Sequence, residues 1–325
     1  MKNDNKLFFI TIEDAINISH NTINSKNSLI KLNNEKSEKE QNDQKNIILP
    51  KENKILQENE NPKKLIPFFD DNQYDYYSNL LQEEEKLNTI PLYGYMVNQP
   101  DINEAMRMIL VNWLIDAHYQ FKFSERTLYQ TIWIIDAYLS KKKIARKNLQ
   151  LLGVSAFYIS IKQNEILIPN LYQLVLLVDY AYEEENIIQF EKKILKVLSS
   201  KISAPTSCHF YNMISMAFNF DESQFFIGKY FLDTCLIDYQ MNKYPASVIG
   251  VACAYLVMKF FGIYNEQELF AKGIIKDNNP EKVIKDAARD IHLLMENMEN
   301  NLSFQAAKNK YSSKEYSDVL ELLNL

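Results

Sequence analysis

The side chains that could act as acids, bases, nucleophiles or metal ligands are scattered along this sequence. The four histidines are His20, His118, His209 and His292. The three cysteines are Cys208, Cys235 and Cys253. No glycine-rich phosphate loop or nucleophile motif accompanies the histidines. The cysteines have no histidine at metal-ligand spacing, so neither a zinc site nor a disulfide framework is indicated. We therefore expect no catalytic residue, no metal and no cofactor.

One charged residue lies in a strongly apolar segment and requires a partner. Arg107 is one of only four arginines and falls within the run from Met106 to Leu114. Burying an unpaired charge in such a segment would be costly. We therefore expect an acidic partner for Arg107 elsewhere in the fold.

The same segment has more apolar residues than one core-facing helical stripe needs. The stripe at helical spacing consists of Met106, Ile109, Leu110, Trp113 and Leu114. The additional apolar residues are Met108, Val111 and Ile115. Either this helix is buried on all sides, or part of its apolar surface binds a ligand.

Length and composition favour a helical protein with about two domains. The chain has 325 residues, and a common domain has roughly 150. Only 6 glycines and 9 prolines are present, so long helices are favoured over turn-rich β folds. The net charge of −6 disfavours nucleic acid and anionic membranes as partners. The apolar runs are too short or too polar for a signal peptide or a membrane span.

The first 67 residues differ from the rest of the chain. They are rich in Asn, Lys, Glu, Ser and Gln, contain no Gly or Arg, and show no sustained helical period. This composition predicts a disordered tail. An AT-rich genome would produce a similar composition, and the segment would be solvated in either case.

After residue 67 the sequence takes on a helical period. Five helices are predicted at 101–121, 124–140, 146–163, 170–181 and 184–198, and five more near 206–218, 222–238, 245–261, 265–273 and 280–298. Asp101 and Glu104 have the spacing of a capping box at the start of the first. Pro205 interrupts the pattern, so we divide the chain into 1–67, 68–203 and 204–325.

The two helical halves share one plan. Four residues of the first half, Gly153, Val154, Tyr158 and Lys162, recur at one constant offset as Gly250, Val251, Tyr255 and Lys259. At the same offset, Asp136 and Leu139 recur as Asp233 and Leu236. The third helix of each half is small or apolar nearly all round, which is typical of a helix enclosed by its neighbours. The sequence predicts an all-α fold built from a duplicated five-helix unit.

Several segments closely resemble the cyclin family. The run from Gly94 to Leu114, with Gly94-Tyr95-Met96, Gln99-Pro100-Asp101-Ile102 and Met106 to Leu114, resembles the A-type signature of mitotic cyclins. Further similar segments lie at 149–153, 190–198, 204–206, 236–238 and 244–250, and the resemblance covers residues from about Tyr74 to the C-terminus. It implies two tandem five-helix cyclin boxes, preceded by the disordered tail and a short N-terminal helix.

The resemblance also implies a function and a location. A mitotic cyclin is a non-catalytic regulatory subunit that binds and activates a cyclin-dependent serine/threonine protein kinase. It would act in the nucleus and the cytoplasm.

Three sets of site residues follow from the resemblance. Kinase-binding residues would be Lys162, Glu191, Glu165 and Phe190. A docking groove for Arg-x-Leu motifs of substrates or inhibitors would consist of Met106, Ile109, Leu110, Trp113, Asp116, Arg146 and Gln150. Asp116 would receive the arginine of the motif. The partner of Arg107 would be Asp136, in a structural ion pair.

One segment departs from the family pattern. Many cyclins read Lys-Phe-Glu-Glu where this chain reads Lys162-Gln163-Asn164-Glu165. The change removes an aromatic side chain and a carboxylate at the implied kinase-binding edge. It leaves the kinase's identity and affinity open.

Two short motifs match degrons. Lys51-Glu52-Asn53 in the tail forms a KEN box, which is read by the anaphase-promoting ubiquitin ligase. The residues from Arg107 to Leu110 spell the Arg-x-x-Leu of a destruction box. A motif within a core helix is not accessible to a ligase, so we retain only the KEN box.

Two other functions of a cyclin fold remain as alternatives. A transcription-initiation protein would carry a basic DNA-binding face and an N-terminal zinc ribbon, but this acidic chain has no cysteine before Cys208. A scaffold or adaptor without kinase activation would be compatible with Gln163 and Asn164. The basic stretch from Lys141 to Lys147 is interpreted as an interhelical loop and not as an import signal.

Overall fold

The computed structural model describes residues 68–87, 93–263, 266–299, 301, 303–316 and 319–323. Every regular element in these ranges is helical, which confirms the predicted all-α class. The α-helices are α1 (Asp71–Lys86), α2 (Glu104–Phe121), α3 (Glu125–Lys141), α4 (Leu149–Asn164), α5 (Leu171–Leu177), α6 (Glu184–Val197), α7 (Ser207–Ala217), α8 (Glu222–Ile237), α9 (Ala246–Phe260), α10 (Pro280–Glu299), α11 (Ala306–Tyr311) and α12 (Val319–Leu322). Short 3₁₀ turns are Tyr95–Asn98, Arg146–Asn148, Tyr239–Lys243, Glu266–Phe270 and Lys314–Tyr316. The predicted disordered tail lies outside the described residues.

Each repeat is organised around its third helix, as the sequence predicted. In the first repeat α4 packs against α2, α3 and α6, and in the second α9 packs against α7, α8 and α10. Gly153 and Gly250 lie where these central helices cross the first helix of their repeat. A Cβ atom on Gly153 would lie 2.7 Å from the Leu110 Cδ1 atom, and one on Gly250 would lie 2.8 Å from the Ser207 carbonyl oxygen. The close helix crossing therefore requires a residue without a side chain.

Two predicted details are wrong. The cap of α2 is Asn103 and not the predicted Asp101. The Asn103 Oδ1 atom accepts a hydrogen bond from the Met106 N–H at 3.0 Å. The helix begins later than expected because Ile102 is buried and fixes the chain before it turns. The predicted helix at 265–273 is only the 3₁₀ turn Glu266–Phe270, because the chain turns at Gly273, which has a φ of +91°.

The N-terminal helix packs against the second repeat. Helix α1 contacts α7 and α9. The Tyr77 hydroxyl donates to the Ile274 carbonyl at 2.9 Å, and the Ser247 N–H donates to Glu84 at 2.9 Å. Our division of the chain grouped this helix with the first repeat, but its packing partner is distant in sequence.

The C-terminal segment connects the two repeats. Helix α11 packs against both α2 and α8. The Ala306 N–H donates to Asn112 Oδ1 of α2 at 3.0 Å, and Lys310 donates to Asp233 of α8 at 2.7 Å. In the described ranges, no helix combines the length and apolar character needed to cross a membrane.

The two central glycines give a test of this packing. Gly250→Ala would press the new methyl group against backbone atoms of Ser207 and Tyr211, which cannot move without shifting α7. We expect it to lower the free energy of unfolding by about 3 kcal/mol. Gly153→Ala meets only a terminal methyl of Leu110 and gains helix propensity, so we expect a loss of about 1 kcal/mol or less. Equal losses in denaturant titrations of the two variants would contradict this account.

Candidate functional site

The buried charge predicted at Arg107 has a complete set of partners. Its Nε and Nη2 atoms each donate to the Asp136 carboxylate at 2.7 Å. Its Nη1 atom donates to the carbonyls of Leu236 and Ile237 at 3.0 and 3.2 Å. Burial alone would lower the pKa of Arg107, but the Asp136 charge and its hydrogen bonds raise the pKa above its ordinary value. The guanidinium therefore stays charged and joins α2 and α3 of the first repeat to α8 of the second.

The equivalent aspartate of the second repeat, Asp233, has a similar environment. Its carboxylate accepts from Lys310 at 2.7 Å, from the Tyr129 hydroxyl at 2.6 Å and from the Tyr311 hydroxyl at 3.1 Å. Burial would raise the pKa of Asp233, but the Lys310 ammonium and these hydrogen bonds hold its pKa below the ordinary value. The sequence repeat identified this residue, but not its partners.

Lys162 and Glu191 form an ion pair at the protein surface. Lys162 lies at the end of α4 and Glu191 in the middle of α6, and their side chains are in direct contact. The Lys162 ammonium also lies 4.2 Å from the centre of the Tyr158 ring. The structure therefore brings together the two residues named first in the kinase-binding set.

The other two residues of that set have structural contacts. The Glu165 carboxylate accepts hydrogen bonds from the Ser124 N–H and hydroxyl, both at 2.9 Å, and from the Thr127 hydroxyl. It thus caps the start of α3. The Phe190 ring is buried against Tyr138, with ring centres 5.9 Å apart. Both side chains support the fold and offer little surface to a partner.

Sequence reasoning missed three exposed apolar residues beside the ion pair. Ile166, Leu167 and Ile168 follow directly after Glu165 in the loop between α4 and α5. Their exposed fractions are 97%, 83% and 51%. The signal in the sequence is an apolar triplet directly ahead of Pro169. Lys162, Glu191 and these three residues together form what we call the α4–α6 edge.

The two residues that depart from the family pattern lie at the same edge. Gln163 accepts a hydrogen bond from Gln130 Nε2 at 2.9 Å. The Asn164 amide donates to the Ser160 carbonyl at 3.0 Å. Both side chains form hydrogen bonds within the chain. The apolar triplet, whose side chains are exposed, is therefore a more prominent feature of this edge than Gln163 and Asn164.

The predicted docking groove is only partly accessible. Leu110 has no exposed surface, and Met106 and Ile109 are also buried. The surplus apolar residues of α2 are largely accounted for by its packing against α8 and α11. Trp113, Asp116 and Gln150 are half-buried, and Arg146 is exposed. A ligand could reach these four without movement of the core.

Asp116 is electrostatically unusual. Desolvation raises the pKa of its carboxyl group to about 6. Burial disfavours the ionised form of Asp116. A cationic ligand that pairs with this carboxylate would therefore gain more binding free energy than one that pairs with a fully hydrated carboxylate.

Family comparisons agree with this geometry. The model of the cyclin N-terminal domain matches residues 75–203, and that of the cyclin C-terminal domain matches residues 205–324. The chain belongs to the cyclin family. The boundary between the two matches coincides with the linker ahead of Pro205.

The relatives are mitotic cyclins. The G2/mitotic-specific cyclin-B of Hydra vulgaris is 36% identical over 224 residues, which are 68% of this chain and 60% of that protein. The G2/mitotic-specific cyclin-B2 of Bos taurus is 32% identical over 242 residues, which are 74% of this chain and 60% of that protein. The matches thus span about three fifths of these relatives. Both carry B-type mitotic names, whereas the signature from Gly94 to Leu114 resembled the A type.

A solved structure shares the fold. The viral cyclin from herpesvirus saimiri superposes with a TM-score of 0.51 at 17% identity, and the match covers 74% of this chain and 96% of that one. At this identity the similarity concerns the fold alone. The KEN box of this cyclin lies outside the described residues. In the described ranges, no group of three or more His, Cys, Asp or Glu side chains could hold a metal ion.

The raised pKa of Asp116 predicts a pH-dependent stability. The unfolded chain releases this proton near pH 4, and the folded chain releases it only near pH 6, so ionisation costs folding free energy as the pH rises between these values. Asp116→Asn should therefore stabilise this cyclin by about 1–2 kcal/mol above pH 6 and have no effect below pH 4. Thermal unfolding across this range checks the prediction. A stabilisation that does not change with pH would contradict it.

Proposed function

We propose that this chain is the regulatory subunit that binds and activates a cyclin-dependent serine/threonine protein kinase and controls mitotic progression, acting in the nucleus and the cytoplasm. The observation that carries the proposal is the α4–α6 edge. There the Lys162–Glu191 ion pair joins α4 to α6, and three exposed apolar residues stand in the loop that follows α4. Clustered exposed apolar side chains in a soluble domain mark protein interaction sites.

The edge supplies both affinity and orientation. Burying Ile166, Leu167 and Ile168 against a partner would remove a large apolar area from water. The adjacent charges would select a partner surface of complementary charge and fix its orientation. Central apolar anchors with a charged surround are the arrangement typical of tight protein interfaces.

Activation would act by population shift. A kinase is active only when its regulatory helix lies inward, so that a glutamate of this helix pairs with the lysine that positions the ATP phosphates. A subunit that binds the inward arrangement more tightly shifts the equilibrium towards it. The cyclin would supply differential binding energy and no catalytic group.

Substrate docking belongs to the same proposal. Arg-x-Leu motifs of substrates or inhibitors would bind along the exposed parts of Trp113, Arg146 and Gln150, with their arginine at Asp116. The raised pKa of Asp116 supports this role. The ionised carboxylate destabilises the fold, and a bound cation would offset this cost. The burial of Leu110 limits this groove to a shallower contact than the sequence implied.

Turnover through the tail is the last part of the proposal. The KEN box at Lys51-Glu52-Asn53 would recruit the anaphase-promoting ubiquitin ligase without unfolding of the helical repeats. Replacing the three residues with alanine should lengthen the half-life of the protein at mitotic exit and leave kinase activation unchanged. Equal half-lives of the two chains would exclude this role for the motif.

The apolar triplet gives the test of kinase binding. Ile166→Asp with Leu167→Asp should abolish co-purification of a kinase from dividing cells, together with the histone phosphorylation of the eluate. Both side chains are exposed, so the melting temperature should stay unchanged. Val97→Asp is the matched control, because Val97 is 91% exposed in a different region, the Tyr95–Asn98 turn. It should bind the kinase normally.

Two outcomes would overturn the proposal. Full activation by the double variant would exclude the edge as the kinase contact. Absence of any co-purified kinase with the unmodified chain would favour the alternative, a cyclin-fold scaffold or transcription-related adaptor without kinase activation.

A further inference from the structure

A loop in the first repeat concentrates positive charge on this otherwise acidic protein. The loop joins α3 to α4, and five exposed basic residues lie in it and at the end of α3: Lys141, Lys142, Lys143, Arg146 and Lys147. In the part of the chain that the structure describes, no carboxylate forms an ion pair with any of them. Five neighbouring cations without a counter-charge repel one another.

The loop is nevertheless held in one conformation. The buried Gln99 amide donates to the carbonyls of Leu139 and Lys142 at 2.7 and 2.8 Å, and its oxygen accepts from the Ile144 N–H at 3.1 Å. The Tyr182 hydroxyl donates to the Lys147 carbonyl at 2.8 Å. Fixed backbone positions reduce the entropy that a ligand would otherwise have to overcome.

The second half of the loop lies at the positive end of a helix. The turn Arg146–Asn148 leads directly into α4, and neither start has a side-chain cap or an acidic residue in its first turn. Unsatisfied N–H groups and the helix dipole make such a start attractive to anions. Arg146 and Lys147 stand where the helix dipole disfavours cations, so a bound anion would offset this repulsion.

We propose that this basic loop binds a phosphorylated segment of a partner protein, containing phosphoserine or phosphothreonine. A phosphate carries nearly two negative charges and three acceptor oxygens, which suits several amines and backbone N–H groups at once. Arg146 also belongs to the predicted docking groove, so the ligand would extend from substrates bound there. In that respect the inference builds on the proposed function.

The surroundings favour a short phosphopeptide over a large polyanion. The chain has a net charge of −6, which repels an extended nucleic acid or an anionic membrane. The residues after Tyr182 are Glu183, Glu184 and Glu185, all exposed. Since the Tyr182 hydroxyl bonds to the Lys147 carbonyl, these three carboxylates follow directly on a contact of the loop and disfavour an extended polyanion.

The test uses the full-length protein and three fluorescent peptides without an Arg-x-Leu motif. One peptide carries two phosphoserines, the second has unmodified serines, and the third has glutamates at these positions. The variant K142Q/K143Q/K147Q removes three loop charges and leaves Arg146 in place. The control K201Q/K272Q/K282Q removes three other exposed lysines, so the change in net charge is the same.

At physiological salt we expect the phosphopeptide to bind about tenfold more tightly than the other two peptides. The loop variant should lose this difference, and the control variant should keep it. Equal binding of the phosphorylated and glutamate peptides, or an equal loss in both variants, would overturn the proposal. So would loop-dependent binding of duplex DNA or phosphatidylserine vesicles as tight as that of the phosphopeptide. The peptides carry no Arg-x-Leu motif and the assay contains no kinase, so failure of this inference is distinguishable from failure of the proposed function.

Discussion

The buried ion pair between Arg107 and Asp136 is the contact on which the arrangement of the two repeats depends. It joins the first two helices of the first repeat and donates hydrogen bonds to the end of α8 in the second. Removing one partner would leave an uncompensated charge in the core, at a cost of about 3–5 kcal/mol. That loss is comparable to the whole stability of many domains.

Three further buried charges, Asp233, Lys310 and Lys229, reinforce the same interface. Tyr129 of the first repeat and Lys310 of the C-terminal segment both bond to Asp233. Lys229 of the second repeat donates to Glu125 of the first at 2.6 Å. Because these contacts fix the repeats against each other, the α4–α6 edge is presented on a preformed scaffold. A partner can then bind with little reorganisation of the cyclin.

The sequence predicted features that local patterns encode. The repeated glycines indicated the two central helices, and the apolar surroundings of Arg107 indicated a buried partner. It did not predict that α1 packs against the second repeat, because a helical period identifies an apolar face but not the distant helix that covers it. The burial of Met106, Ile109 and Leu110 could not be predicted for the same reason, since α2 packs against the distant helices α8 and α11. The exposure of Leu167 could not be read from its residue type, because leucine is among the residues most often buried.

The central claim is that Lys162 and Glu191 face the kinase and do not merely hold α4 to α6. In a variant with Lys162→Glu and Glu191→Lys the two charges are exchanged. The internal ion pair is kept, but a partner contacts the opposite charge at each position. The measurement is the affinity of the purified variant for the kinase that co-purifies with the unmodified chain, together with its melting temperature. The account predicts a normal melting temperature and an affinity reduced by about tenfold or more. Normal affinity in the exchanged variant would show that the pair is only structural.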